Sequence, residues 1–352
     1  MLRTIKLLLN NKPIQFFALK QGPIVSPLLT VLDDNPDIKN MPINTFIRTG
    51  NQNRLMDQIS LEVSAGWKEI IEACRPYKSP ATRGVIITPE YSTATFPFSE
   101  RQFDSMIDNF DEYLKTILEP WDFYFASTFV HLTGDGKYLK HVIPQNADPQ
   151  SPDILNVALL ARRIIDLDAK ENTTIVQVHY KQIIAANDLL KEYAQRPSLT
   201  EIPDLNRSIY SNKEGVVVGE ICLESQGSVG FNTVAYRMFK KEIPIDAVGY
   251  HILSSDSIEA NPTTSAYPIY VHVDARLPPK VIILTKEDQE QYVDVQKSFP
   301  IKSSNSHIAN GRITLFNPIT LQPARAKVIE SIEELEQAEN DPPNNGSTRP
   351  KL

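Results

Sequence analysis

Glycine is scarce in this sequence, and the shortage limits the ligands that the chain can bind. There are 13 glycines and 26 prolines among 352 residues, whereas average usage is about 7% glycine and 5% proline. A loop that cradles phosphate needs clustered glycines, because its backbone must approach the ligand closely. The sequence contains no such cluster, so we expect no nucleotide and no other small-molecule cofactor.

Cysteine is scarcer still. Cys74 and Cys222 are the only two cysteines in the sequence. They are too few and too far apart for a disulfide framework or a zinc site. We therefore interpret both as small buried hydrophobic residues and expect no bound metal.

Basic charge and long apolar runs are also missing. The formal net charge is -7, and an uninterrupted acidic run within residues 330–341 accounts for most of it. A nucleic-acid groove needs clustered Lys and Arg, so we expect no nucleic-acid partner. No apolar run approaches the roughly 20 residues of a membrane span. The first nine residues lack the pattern of a signal peptide, so we expect synthesis in the cytoplasm without export and no membrane partner.

Strand and helix patterns alternate along residues 1–197, which we predict to form a mixed α/β domain. Apolar spacing typical of a helix runs from Arg54 to just before Pro76. Ser99 and Gln102 then form a capping box ahead of a second amphipathic run. This part of the chain therefore combines short strands with two well-marked helices.

Aromatic residues are concentrated in the strand that follows. Trp121 directly precedes a β-prone run at 122–132, in which Phe123, Tyr124 and Phe125 place aromatic side chains on both faces. One aromatic face can enter the core, and we predict that the other is covered either by the preceding helix or by a partner subunit. Asp135-Gly136 before a second run at 137–143 predicts a β-hairpin.

We predict a helical hairpin for the next segment of the chain. Its first helix starts at Ser151-Pro152, and its second covers about 173–196. The β-branched residues at 173–180 leave a strand followed by a helix as the alternative for the second half.

The remainder is predicted to be β-rich, and it completes an α+β (mixed) fold class. Residues 198–212 are a predicted linker, 213–328 a sandwich or barrel-like domain, and 329–352 a short acidic helix with an extended tail. One helix, from Thr285 to about Ser298, interrupts the β-rich part. The strand-like runs of this part are 216–223, 229–238, 247–253, 269–273, 281–284 and 312–316.

Candidate catalytic residues are few and scattered. His272 and Asp274 lie two apart on a predicted strand and so share a face, where a histidine beside a carboxylate can act as a base or a metal ligand. Together with His251 and Ser228 they form the alternative prediction of a hydrolase with a dispersed active site. A catalytic triad is recognised by geometry rather than chain order, so the sequence leaves this alternative open.

The absence of a convergent site favours a non-enzymatic structural or interaction subunit of a large assembly. We predict a tail, neck or baseplate component of a tailed bacteriophage, located in the virion and bound to other subunits in a homo- or hetero-oligomer. The predicted partner-binding residues are Trp121, Phe123, Phe125, Glu333, Glu336, Pro342 and Pro343.

Overall fold

The structure is a computed structural model that describes most of the chain. The described residues are 13–20, 50–90, 92, 98–139, 154–165, 172–181, 208–212, 215–302 and 311–340.

Four α-helices and fifteen strands make up the regular structure of the described residues. The helices are α1 (Gly50–Cys74), α2 (Glu100–Thr116), α3 (Val229–Phe239) and α4 (Ala326–Asn340). The strands of the first half are β1 (Ile14–Lys20), β2 (Arg83–Ile87), β3 (Phe98–Ser99), β4 (Trp121–His131), β5 (Ile154–Ile165) and β6 (Asn172–Tyr180). Those of the second half are β7 (Ile209–Asn212), β8 (Gly215–Ile221), β9 (Val248–Ser255), β10 (Ile269–Asp274), β11 (Lys280–Leu284), β12 (Glu290–Tyr292), β13 (Val295–Pro300), β14 (Arg312–Phe316) and β15 (Gln322–Pro323).

These strands form two mixed sheets. The first has the order β13-β14-β1-β2-β4-β5-β6, with β3 paired to β4, and β1, β2 and β4 run parallel. The second has the order β12-β11-β10-β9-β8-β7, with β15 paired to β9, and β8, β9 and β10 run parallel. Each sheet therefore has a central parallel portion whose strands all end at one edge.

The two sheets pack face to face between two layers of helices. One apolar cluster joins the inner faces of the sheets, a second joins the first sheet to α1 and α2, and a third joins the second sheet to α3 and α4. This arrangement confirms the predicted α+β class, and the described strands form no closed barrel.

A buried charge cluster links the two sheets. The Asp122 carboxylate on β4 accepts two hydrogen bonds of 2.8 Å from Arg162 and one of 3.0 Å from Arg83. It also accepts a bond of 2.7 Å from the Tyr250 hydroxyl on β9. Arg162 reaches the second sheet as well, through a bond of 3.2 Å to the Gly215 carbonyl. Burial raises the pKa of Asp122, but the two arginines outweigh burial and the pKa lies below its usual value.

The helix predictions for the first part of the chain are partly confirmed. Helix α1 lies where the apolar spacing placed it, and Ser99 and Gln102 form both hydrogen bonds of the capping box. The helical hairpin is wrong, because 154–165 is β5 and 172–180 is β6. The alternative strand at 173–180 is confirmed, and the remainder of the predicted second helix, 182–196, lies outside the described residues. Strand β5 is buried on both faces, so its continuous apolar run does not show the alternation of a half-exposed strand.

Three further local predictions are wrong. Strand β4 pairs with β5, and residues 137–139 of the predicted second hairpin strand are not a strand, while 140–143 lie outside the described residues. The turn after β4 is held by the buried Glu100 carboxylate, which accepts three backbone N–H bonds. Residues 229–238, predicted as a strand, lie in α3. Residues 285–298, predicted as a helix, contain β12 and the start of β13.

The aromatic strand is covered by its own chain. Trp121, Phe123 and Phe125 are 0% exposed and pack against α1 and α2, with the Phe125 ring stacked on Trp67 at 5.0 Å. These three residues are therefore unavailable to a partner, and their predicted role in partner binding is wrong. The preceding helix provides the cover, which is the alternative considered above.

The predicted domain boundary and the predicted partner residues of the C-terminal part have different outcomes. Strand β14, from the predicted second domain, pairs with β1 of the predicted first domain, so the division at the 198–212 linker stays a prediction that this pairing does not favour. Glu333 and Glu336 are exposed on α4, and their partner role stays a prediction. Pro342, Pro343 and the tail lie outside the described residues.

We expect Asp122→Asn to destabilise the protein by about 3 kcal/mol or more, because it leaves two buried arginines without their counter-charge. Asp108→Asn is the matched control, since the Asp108–Lys137 pair is half exposed and such pairs contribute at most about 1 kcal/mol. Urea unfolding of both variants at pH 7 measures the difference. Equal losses would contradict a special role for the buried cluster.

Candidate active site

The carboxyl ends of parallel strands from both sheets meet at one edge of the sandwich. Strand β2 is followed by Thr88 and Glu90, β6 by Lys181, and β8 by Cys222. Ser254 at the end of β9 donates a hydrogen bond of 2.8 Å to the Thr88 carbonyl, which joins the edges of the two sheets. Ligand sites of open sheets with parallel strands commonly lie at this edge.

A buried ion pair lies at this edge. The Lys181 ammonium is 2.9 Å from Glu90 Oε1, and the two side chains are 1% and 0% exposed. Asn156 on β5 fixes both partners, since its side-chain amide donates to Glu90 Oε1 at 3.1 Å and its backbone carbonyl accepts the Lys181 backbone N–H at 2.7 Å. Because removing two charges from water costs more free energy than a simple pair commonly returns, such a pair is poor evidence for a purely stabilising role.

The turn that carries Glu90 is held by hydroxyl groups. Thr88 Oγ1 donates to the Ala126 carbonyl at 2.9 Å and accepts the Ala126 N–H at 3.0 Å. Ser92 Oγ donates to Thr88 Oγ1 at 2.7 Å. Bonds on both sides of Glu90 therefore limit the movement of its carboxylate.

Cys222 has a strained backbone directly after β8. Its φ is 54°, in the left-handed region, and its side chain is 5% exposed. Of the five non-glycine residues with positive φ among the described residues, it is the buried one. Such strain costs about 1–3 kcal/mol and is concentrated at functional sites.

The segment with Cys222 is tied to the strand that carries Lys181. The Glu224 carboxylate accepts the Ile221 N–H at 2.7 Å and lies 2.9 Å from His179 Nε2. His179 precedes Lys181 by two residues, and Glu224 follows Cys222 by two. The contact therefore brings the thiol-bearing turn and the lysine-bearing strand end to the same part of the edge.

The structure brings together only two of the four predicted catalytic residues. His272 and Asp274 lie on either side of the Ser255 hydroxyl, which is 2.8 Å from His272 Nε2 and 2.7 Å from Asp274 Oδ2. Asp274 also accepts backbone N–H bonds from Ile258, Arg276 and Leu277. This carboxylate anchors turns at the ends of β9 and β10.

The Ser255 group has the wrong hydrogen-bond directions for a catalytic triad. The Ser255 hydroxyl donates its proton to Asp274, so His272 Nε2 must act as the donor to Ser255. A triad needs the opposite direction, with the imidazole accepting the serine proton. His272 Nε2 is 3.9 Å from Asp274, so the carboxylate does not orient the ring as in a triad.

His251 and Ser228 lie apart from this group. His251 Nε2 is 3.0 Å from Glu220 Oε2, while its Nδ1 accepts the Ala266 N–H at 3.3 Å. Ser228 precedes α3 with a φ of 51° and makes no capping hydrogen bond with its side chain. The predicted site built from these four residues is therefore not assembled.

The sequence analysis missed the residues that do converge. The prediction of Cys222 as a small buried residue is confirmed, since it is buried in the apolar cluster between the sheets, but the sequence analysis does not single it out for chemistry, nor Glu90 or Lys181. Each of the three follows a strand, directly or within three residues, which is where side chains can face a shared edge. A position just after a strand is therefore the sequence signal from which these three residues could have been predicted.

Two absences hold for the described ranges. They contain no group of three His, Cys, Asp or Glu residues placed to bind a metal ion. None of their helices has the length and apolar character needed to cross a membrane.

Comparison with known proteins gives distant structural similarity alone. No protein-family model and no curated protein matches the sequence. The chain is similar to an amidase variant from Nesterenkonia sp. AN1 with an acetamide moiety at its active-site cysteine: 10% identity, TM-score 0.42, covering 94% of this chain and 98% of that one. It is also similar to a variant of that amidase in complex with butyramide, with 10% identity, a TM-score of 0.41, and coverage of 93% and 96%. A further variant, described as a nitrilase-superfamily amidase, has 9% identity and a TM-score of 0.40, with coverage of 93% and 96%.

These similar structures are enzymes, and this finding contradicts the prediction of a non-enzymatic phage tail, neck or baseplate subunit. The associated virion location has no support. Similarity at this distance does not assign a reaction, so any function has to be argued from the site itself.

We expect His272 to make stability depend on pH without taking part in catalysis. Burial, with a smaller contribution from Lys280, lowers the pKa of His272 to about 4 from an ordinary 6.5. The unfolded chain therefore binds a proton first as pH falls, and up to about 3 kcal/mol of stability present above pH 6.5 is lost by pH 4. Urea unfolding across this range should show a shallower pH dependence for His272→Gln than for the unaltered protein. Parallel curves would contradict the expectation.

Proposed function

We propose that this protein is a hydrolase that transfers acyl groups through Cys222, assisted by Glu90 and Lys181. The observation that carries the proposal is the strained, buried Cys222, with a φ of 54°, at the strand edge that also holds the buried Glu90–Lys181 pair. A strained nucleophile directly after a strand, at an edge that also holds a carboxylate able to accept its proton, is typical of covalent catalysis.

The three side chains divide the chemistry between them. The Cys222 thiol attacks the carbonyl carbon of the substrate and forms a thioester, while its proton passes to the Glu90 carboxylate and then to the leaving group. Water hydrolyses the thioester, releasing the carboxylic acid and restoring the thiol. Lys181 places positive charge beside the negative charge that develops during both steps.

The second candidate reaction uses His272 and Asp274, and the geometry supports it less well. The Ser255 hydroxyl donates to Asp274, which leaves the histidine no serine proton to accept. The hydrolase class of the alternative prediction is therefore kept, and its site is moved to the edge that holds Cys222.

We expect Cys222→Ala to abolish the hydrolysis of p-nitrophenyl acetate and of small aliphatic amides. Cys74→Ala is the matched control, because Cys74 is equally a buried cysteine but is the last residue of α1, in the apolar cluster that joins the first sheet to α1 and α2. Steady-state rates with both variants, alongside a thermal melt of each, separate catalysis from folding. Activity retained in folded Cys222→Ala would rule out the proposed nucleophile.

We expect Glu90 and Lys181 to act as one unit. Glu90→Gln and Lys181→Met should each lower kcat/KM by about 100-fold or more, the usual scale for a lost proton-transfer group. The double variant should fall little further, since groups that act together are non-additive. Losses that simply multiply, or that are absent, would show that the pair does not work as a unit in the reaction.

A further inference from the structure

Tyr124 lies between the sheets with its ring against β8. It sits on β4, paired with Ile87 of β2 and Leu160 of β5, and its side chain belongs to the apolar cluster that joins the two sheets. Gly219 makes room for the phenol, because a Cβ at that position would be 2.3 Å from Tyr124 Cε2 and 3.0 Å from its hydroxyl oxygen. A glycine within a strand often marks such a close approach.

The Tyr124 hydroxyl has no hydrogen-bond partner among the described residues, although the side chain is 1% exposed. A buried donor left unpaired costs about 1–3 kcal/mol. Tyr250, another buried tyrosine of the same cluster, donates to Asp122 at 2.7 Å. The buried Tyr124 hydroxyl is therefore an unpaired donor that costs free energy, whereas the buried Tyr250 hydroxyl has a partner.

Tyr124 and Cys222 belong to the same apolar cluster between the sheets. The Thr88 N–H donates to the Tyr124 carbonyl at 3.0 Å, so Tyr124 is beside the start of the turn that carries Glu90. Gly219, under the phenol, precedes Cys222 by three residues. Burial raises the pKa of Tyr124 well above its ordinary value, and the carboxylates of Glu224, Glu220 and Glu90 raise it further. The phenol therefore stays protonated, and remains a donor, across the range in which enzymes work.

We propose that the Tyr124 hydroxyl donates a hydrogen bond to the carbonyl oxygen of the substrate as Cys222 attacks the carbonyl carbon. The inference rests on the proposed function. During attack the carbonyl oxygen becomes negatively charged, and a fixed donor in a dry site stabilises that charge strongly.

Two reagents that modify cysteine by different routes test this role in Tyr124→Phe. Acylation of Cys222 by p-nitrophenyl acetate passes through an oxyanion, whereas alkylation by iodoacetamide does not. We expect the acylation rate to fall by about 100-fold, the scale of a lost oxyanion donor, and the alkylation rate and its pH profile to stay unchanged. Both rates are followed at Cys222 by peptide mass spectrometry.

Tyr250→Phe is the matched control, since it removes a buried hydroxyl of the same cluster that is bonded to Asp122. It should lower stability and leave the acylation rate of the folded protein unchanged. Unchanged acylation in Tyr124→Phe would overturn the inference, and so would an equal fall in both reactions, which would indicate a packing role. If Cys222 of the unaltered protein is alkylated but never acylated, the proposed function fails and this inference fails with it.

Discussion

Asp122 holds the two sheets together from inside the core. Its carboxylate is fully buried and contacts Arg162 and Arg83 of the first sheet and Tyr250 of the second. Because a charge in this position is tolerated only with its partners in place, the cluster fixes how the sheets face each other. That fixed packing also determines how the ends of the parallel strands lie relative to one another at the opposite edge.

The buried ion cluster around Asp122 and the buried Glu90–Lys181 pair differ in character. Around Asp122 the backbone is regular strand, and both carboxylate oxygens are bonded to arginine. Around Glu90 and Lys181 the chain leaves its strands, a cysteine adopts a left-handed backbone, and a nearby phenol keeps an unpaired hydroxyl. Strain and an unpaired donor are costs that a purely structural cluster does not need. Their presence at one edge is the physical reason for assigning chemistry there.

The sequence predicted well those features that depend on neighbouring residues. The α2 capping box depends on Ser99 and Gln102 alone, and the spacing of α1 and α4 is local as well. Strand β5 was taken for a helix because burial on both faces removes the alternation that marks a strand. β-branched and aromatic residues dominate the α3 segment, so its sequence predicts a strand. Packing against the second sheet stabilises a helix there instead.

The candidate site could not be predicted because its residues are far apart in the chain. Glu90 and Lys181 are 91 residues apart, and only the pairing order of β2, β4, β5 and β6 brings them together. His272 and Asp274, adjacent on one strand, were visible in the sequence and proved to anchor turns. Proximity in sequence thus identified the structural pair, while the pair at the proposed site depended on sheet topology.

The most direct test of the central claim is to trap the acyl-enzyme. The protein is mixed with p-nitrophenyl acetate, quenched in acid during turnover and mapped by peptide mass spectrometry. The account predicts an acetyl group on the peptide that contains Cys222 and none on the peptide that contains Cys74. Turnover with the acetyl group on another residue, or with no acylated peptide at all, would contradict it.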